Sequence, residues 1–129
     1  MRNILKTKWF NWSLAVIWMT FIFCLSSVPQ FPVQIQDPWA SYVSYGAHIF
    51  LYFVLTFFLV RAFNSAGMTL KKSLVWAFLI AVLYGATDEF HQSYVPYRSM
   101  DIKDWLVDIV SALAVVYLYN YIYKLKMFK

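Results

Sequence analysis

A single cysteine excludes an intramolecular disulfide framework. That residue, Cys24, lies inside an apolar run and reads as a buried structural thiol. Charge is equally scarce. Only 13% of the 129 residues are charged and 62% are hydrophobic, and a soluble chain of this length could not hide so much apolar surface. The formal charge of +5 does not mark a nucleic-acid surface, because the basic residues form no patch. They sit in small groups at the edges of apolar runs, where membrane topology would place them. The motifs G-x-S-x-G and H-E-x-x-H are absent, as is a cysteine–histidine nucleophile arrangement. Internal repeats and low-complexity tracts are absent too. Acidic residues number only six, and five of them (Asp88, Glu89, Asp101, Asp104 and Asp108) fall within residues 85–108.

What the chain does have is long apolar runs. A helix needs about 20 mostly apolar residues to cross the hydrocarbon layer. Four stretches qualify, at residues 9–28, 42–63, 73–95 and 102–123. The segments "VPQFPVQIQDP", "NSAGMTLKK" and "VPYRSMD" separate them and carry turn chemistry. The expectation is an all-α, polytopic membrane protein with one transmembrane domain over residues 1–129. "MRNILKTK" ahead of the first run resembles the start of a signal peptide. The run is long enough to span, however, and no clear small-x-small cleavage site follows, so an uncleaved first helix is expected. Of the eleven basic residues, Arg2, Lys6, Lys8, Arg61, Lys71, Lys72, Lys124, Lys126 and Lys129 fall on one side of such a bundle, and Arg98 and Lys103 on the other. The positive-inside rule then puts both termini in the cytoplasm and the acidic stretch at the outer face.

On a helix, residues three, four and seven apart share a face. Asp101, Asp104, Asp108 and Ser111 have that spacing in the fourth segment. Gly85, Asp88, Glu89 and Gln92 form a comparable stripe in the third, and Tyr45, His48, Tyr52 and Thr56 in the second. Asp108, Asp88 and His48 each lie about 10 Å inward from the same end of their segments, at 1.5 Å per residue. A charged side chain near the bilayer centre costs about 3 kcal/mol or more, so three such stripes facing lipid would be intolerable. They are expected to face one another around one polar pocket that also recruits Arg98.

Plainer roles stand beside this reading. Asp101 is placed to cap the fourth helix, with Asp104 in its first turn. His91, near a helix end, reads as an interfacial side chain, and Asp37 and Lys103 as solvated charges. Asp88, Glu89 and Asp108 could simply pair to hold helices together. Histidine and carboxylate side chains are acceptable metal ligands, but their spacing here matches no compact metal motif. An arginine over the pocket would oppose a dication and balance the carboxylates instead. The expectation is therefore a pocket without metal or other cofactor.

Glu89 to Gln92 (E-x-x-Q), Val95 to Arg98 (V-P-x-R) and Asp101 to Asp108 (D-x-x-D-x-x-x-D), in this order, resemble the signature of VanZ-like membrane proteins. "LSSVP" resembles the end of that family's first helix, and "HIFLYFVLTFFLVRAF" its second. Members often carry glycine where this chain has Tyr97, a glycine pair at Ser111-Ala112, Asp-Lys at Gly46-Ala47, and asparagine at Asp108. The resemblance implies the bacterial cytoplasmic membrane and a setting of resistance to the glycopeptide antibiotic teicoplanin.

Three functions compete. In the first, the outer pocket of a non-enzymatic protein binds a membrane lipid head group, a cell-wall precursor or the antibiotic. His48, Tyr52, Asp88, Glu89, Gln92, Arg98, Asp101, Asp104 and Asp108 then line it. The second is an intramembrane enzyme for a lipid-linked substrate, with Glu89 or Asp88 as general base and His48 as its partner. The third is an ion-coupled transporter, which four helices would support only as a homo-oligomer.

Overall fold

The computed structural model describes residues 8–30 and 38–127. Four α-helices follow in order: α1 (Lys8–Ser26), α2 (Pro38–Ser65), α3 (Leu70–Gln92) and α4 (Ile102–Met127). No strand occurs among the described residues. Each helix contains a span long and apolar enough to cross a membrane. Asp37, Arg2, Lys6, Lys129 and most of the Pro-rich loop lie outside the described residues.

Local chemistry sets the boundaries. At the end of α2, the Met68 N–H reaches Phe63 O at 3.3 Å and the Gly67 N–H reaches Asn64 O at 3.1 Å. This is the Schellman arrangement, and it needs a left-handed residue at Gly67, where φ is 93°. Thr69 then caps α3 by accepting from the Lys72 N–H, so the helix begins three residues before the expected start. It also ends three residues early. The N–H groups of Ser93, Tyr94 and Val95 turn back to the carbonyls of Phe90, His91 and Gln92, which tightens the chain out of α-helix. The side chain of Asp101 accepts from the Lys103 N–H at 2.8 Å, which makes Asp101 the cap of α4.

The four-residue link 66–69 turns α3 back along α2, and residues 93–101 turn α4 back along α3. Helix α2 is central and touches all three others, while α1 packs mainly on α2 and only lightly on α3. Its core holds Tyr52, Leu55, Leu59 and Val60 of α2 against Ile22, Ala77, Ala81, Ala112 and Val115. The distribution of polarity is inverted relative to a soluble bundle. Asn11, Ser26, His48, Thr56, Ser73, Asp88, Glu89, Gln92, Asp108 and Ser111 are buried, whereas Trp9, Ile17, Val43, Phe50, Leu83, Val110 and Tyr117 are exposed. An apolar exterior around a polar interior is what a lipid solvent selects. The architecture is that of a multi-pass membrane protein. Cys24 corrects one expectation, because it is exposed on the apolar outer face of α1 and not buried.

Candidate functional site

The polar residues gather where α2 begins, α3 ends and α4 begins. His48 Nδ1 and Asp108 Oδ1 lie 2.9 Å apart, at hydrogen-bond distance. On the other side of the ring, His48 Nε2 is 3.6 Å from Asp104 Oδ2. Glu89 is fully buried and completes this group; one ligating atom from each of His48, Glu89 and Asp104 lies within 4.8 Å of the others. The Asp101 N–H donates to Glu89 Oε2 at 2.9 Å. Gln92 Nε2 donates to Asp88 Oδ2 at 3.2 Å and, more weakly, toward Glu89 Oε1 at 3.5 Å. Helices α2, α3 and α4 are thus tied by one polar network, as the matching stripes implied.

Close packing makes the network possible. A Cβ on Gly85 would stand 3.0 Å from Asp108 Oδ2 and 3.3 Å from both Trp105 Cδ1 and Tyr52 Cε1. Trp105 is itself held by its indole N–H, which donates to Val82 O at 3.0 Å. The Tyr52 ring lies parallel to that of His48, with centroids 6.2 Å apart. The Tyr52 hydroxyl, Asp88 Oδ1 and Asp108 Oδ2 are buried with no partner among the described residues. Buried polar atoms without a partner are uncommon, and each of these leaves hydrogen-bonding capacity for water, a proton or a ligand.

Beside the network lies a cavity of about 340 Å³. Its lining includes the polar side chains of His48, Asp88, Gln92 and Arg98 and the apolar ones of Ile22, Leu25, Val43 and Leu51. A second cavity of about 220 Å³ is lined by Ser44, Tyr45, Asp101 and Asp104. A larger cavity, of about 650 Å³, opens between Leu70, Leu74 and Phe78 of α3 and Leu113 and Val116 of α4. It is away from every carboxylate described above.

Arg98 reaches the site from the loop after α3. Its Nη1 donates to Ser26 O at 2.9 Å, so it caps the C-terminus of α1, where the last carbonyls lack helical partners. It reaches the 340 Å³ cavity without an ion pair to any described carboxylate. Gln92 likewise spends its amide on Asp88 and Glu89. His91 turns to α1, with Nε2 3.0 Å from Ser27 Oγ and its ring 4.5 Å from that of Phe23. Ser26 and Ser44 line the cavities although neither figured in the stripes. For Ser44 the signal was present, since it lies one turn before His48.

No significant match was found among curated proteins or among solved structures. The family model VanZ/LLP1 matches residues 9–124, nearly the whole of the four-helix bundle. The chain belongs to the VanZ/LLP1 family.

Proposed function

We propose that this protein is a single-domain binder of amphiphilic envelope ligands in the bacterial cytoplasmic membrane. The observation that carries this reading is the 340 Å³ cavity, whose lining combines Arg98, His48, Asp88 and Gln92 with Ile22, Leu25, Val43 and Leu51. A guanidinium with donors left beyond its bond to Ser26 suits a phosphate or carboxylate head group. The carboxylates accept from amines or sugar hydroxyls, and the apolar wall takes the first part of an acyl chain. Membrane lipid head groups, lipid-linked cell-wall precursors and teicoplanin-type glycopeptides are the candidates, the last because of the family's resistance setting.

Orientation is part of the proposal. Lys8, Lys71, Lys72, Lys124 and Lys126 stand at one end of the bundle, and the acidic network with Arg98 and Lys103 at the other. The positive-inside rule turns the network outward. Cysteines at Asn3 and Gln34, in a Cys24→Ser background, should label from opposite faces of intact cells; labelling of both from outside sinks the topology.

The binding reading is tested with protein in lipid nanodiscs, titrated with phosphatidylglycerol head group, a lipid-linked cell-wall precursor and teicoplanin. Arg98→Gln should weaken the binding ligand at least about tenfold, the size of one charge-assisted hydrogen bond. Unchanged affinity for all three would end the proposal. If Glu89→Gln abolished turnover of a precursor while preserving its binding, the enzyme reading would replace it.

A further inference from the structure

We propose that His48, Glu89 and Asp104 form a site for one divalent metal ion of the zinc or manganese class. The three residues come from three helices and are 56 positions apart at their extremes, so no sequence motif links them. Yet their ligating atoms all lie within 4.8 Å of one another. An imidazole nitrogen with two carboxylate oxygens is a donor set that suits Zn²⁺ or Mn²⁺.

The arrangement around His48 carries the inference. Nδ1 and Asp108 Oδ1 lie 2.9 Å apart, so a carboxylate at Asp108 can take the Nδ1 proton's hydrogen bond and leave Nε2 as the ligating nitrogen. His48 is more than nine-tenths buried, and its other ring nitrogen, Nε2, is turned toward Asp104. It faces Asp104 Oδ2 at 3.6 Å, too far for a hydrogen bond. With Nδ1 carrying the ring proton, a cation between Nε2 and Asp104 Oδ2 would be held by both atoms. Ligand atoms of a tetrahedral Zn²⁺ site stand about 3.4 Å apart, so a group now within 4.8 Å closes by a contraction of at most about 1.4 Å.

The surroundings fit. Carboxylate–histidine–metal is a recurring outer-shell device, and here Asp108 supplies the carboxylate. Glu89 is oriented by the Asp101 N–H and approached by the Gln92 amide, each leaving lone pairs for an ion. Charge balance points the same way. Arg98 donates to Ser26 O and makes no ion pair within 4.0 Å with a described carboxylate, so its charge acts on Asp104 only from a distance. Asp104 also lines the 220 Å³ cavity with Ser44 and Tyr45, which leaves the ion an open position for water or a ligand oxygen. The proposal differs from the sequence expectation of a pocket without metal, and it stands whether or not the neighbouring cavity binds an amphiphile.

The test is elemental analysis of the full chain, purified in detergent without chelator, followed by titration with Zn²⁺ and Mn²⁺ alone. The expected result is one equivalent per chain. Glu89→Gln and Asp104→Asn should each fall below about one-tenth, because a ligand is lost. Cys24→Ser, on the outer face of α1, should retain the full equivalent. Asp108→Asn should bind about 10–100-fold more weakly, the usual cost of an altered outer-shell partner. A variant that fails to fold does not blunt the test, because unmodified protein should bring the spectrum of added Mn²⁺ to that of an immobilised ion. Absence of metal and of Mn²⁺ immobilisation in the unmodified protein overturns the proposal, and so does metal retained in both ligand variants. Amphiphile binding that survives metal loss would separate this failure from that of the binding reading.

Discussion

Gly85→Ala adds one methyl group at the tightest point of the bundle. The new carbon would meet Asp108 Oδ2 at 3.0 Å and Trp105 Cδ1 and Tyr52 Cε1 at 3.3 Å each. Favourable contacts between carbon atoms lie at about 3.5–4.0 Å, so all three neighbours must give by a few tenths of an ångström. None is the loose end of a mobile side chain. Asp108 is tied to His48 at 2.9 Å, Trp105 to Val82 O at 3.0 Å, and Tyr52 is fully buried. Overpacking of this kind costs about 1–3 kcal/mol. The gain from replacing glycine by alanine inside a helix is about 1 kcal/mol. The expected net effect is a destabilisation of about 1 kcal/mol, read as a lowered unfolding midpoint in mixed detergent micelles. The decisive arm is a double-mutant cycle. In an Asp108→Ala background the closest neighbour is gone, and Gly85→Ala should become neutral or stabilising, with a coupling of at least about 0.5 kcal/mol. Gly85→Ala more stable than the parent, or a cycle with no coupling, would refute the packing argument.

Tyr97 has a φ of 61°, the left-handed value that costs an L-residue about 1–2 kcal/mol, and its side chain is exposed. Tyr97→Gly should therefore raise the unfolding midpoint by about 1 kcal/mol, with Tyr97→Asn in between; a lowered midpoint for both would contradict the strain reading. The Tyr84 hydroxyl donates to Met19 O at 2.5 Å and links α3 to α1. Tyr84→Phe should cost about 1 kcal/mol in the same assay, and no change would show that the link contributes nothing. Cys24 is exposed on the outer face of α1. A lipid-soluble maleimide should modify it in folded protein, and modification only after unfolding would place it in the interior.

Much of the fold was legible because it depends on quantities a sequence carries directly. Four apolar runs of spanning length dictate four helices, since lipid leaves backbone polar groups no partner but their own helix. The stripes through His48, Glu89 and Asp108 were readable from spacing, because helical periodicity fixes which residues share a face. Periodicity does not fix how each face is turned toward its neighbours. That depends on packing at points such as Gly85, where a missing side chain lets α3 approach Asp108 and Tyr52. Only the tertiary structure therefore decided that His48 takes Asp108, 60 residues away, on one nitrogen and faces Asp104 with the other. It also sent Arg98 to the carbonyl of Ser26 and not to a carboxylate, because the open end of α1 comes to lie beside the loop after α3. Residue type names the partners a charged group can take; which of them it meets is a matter of distance, and distance is set by the fold.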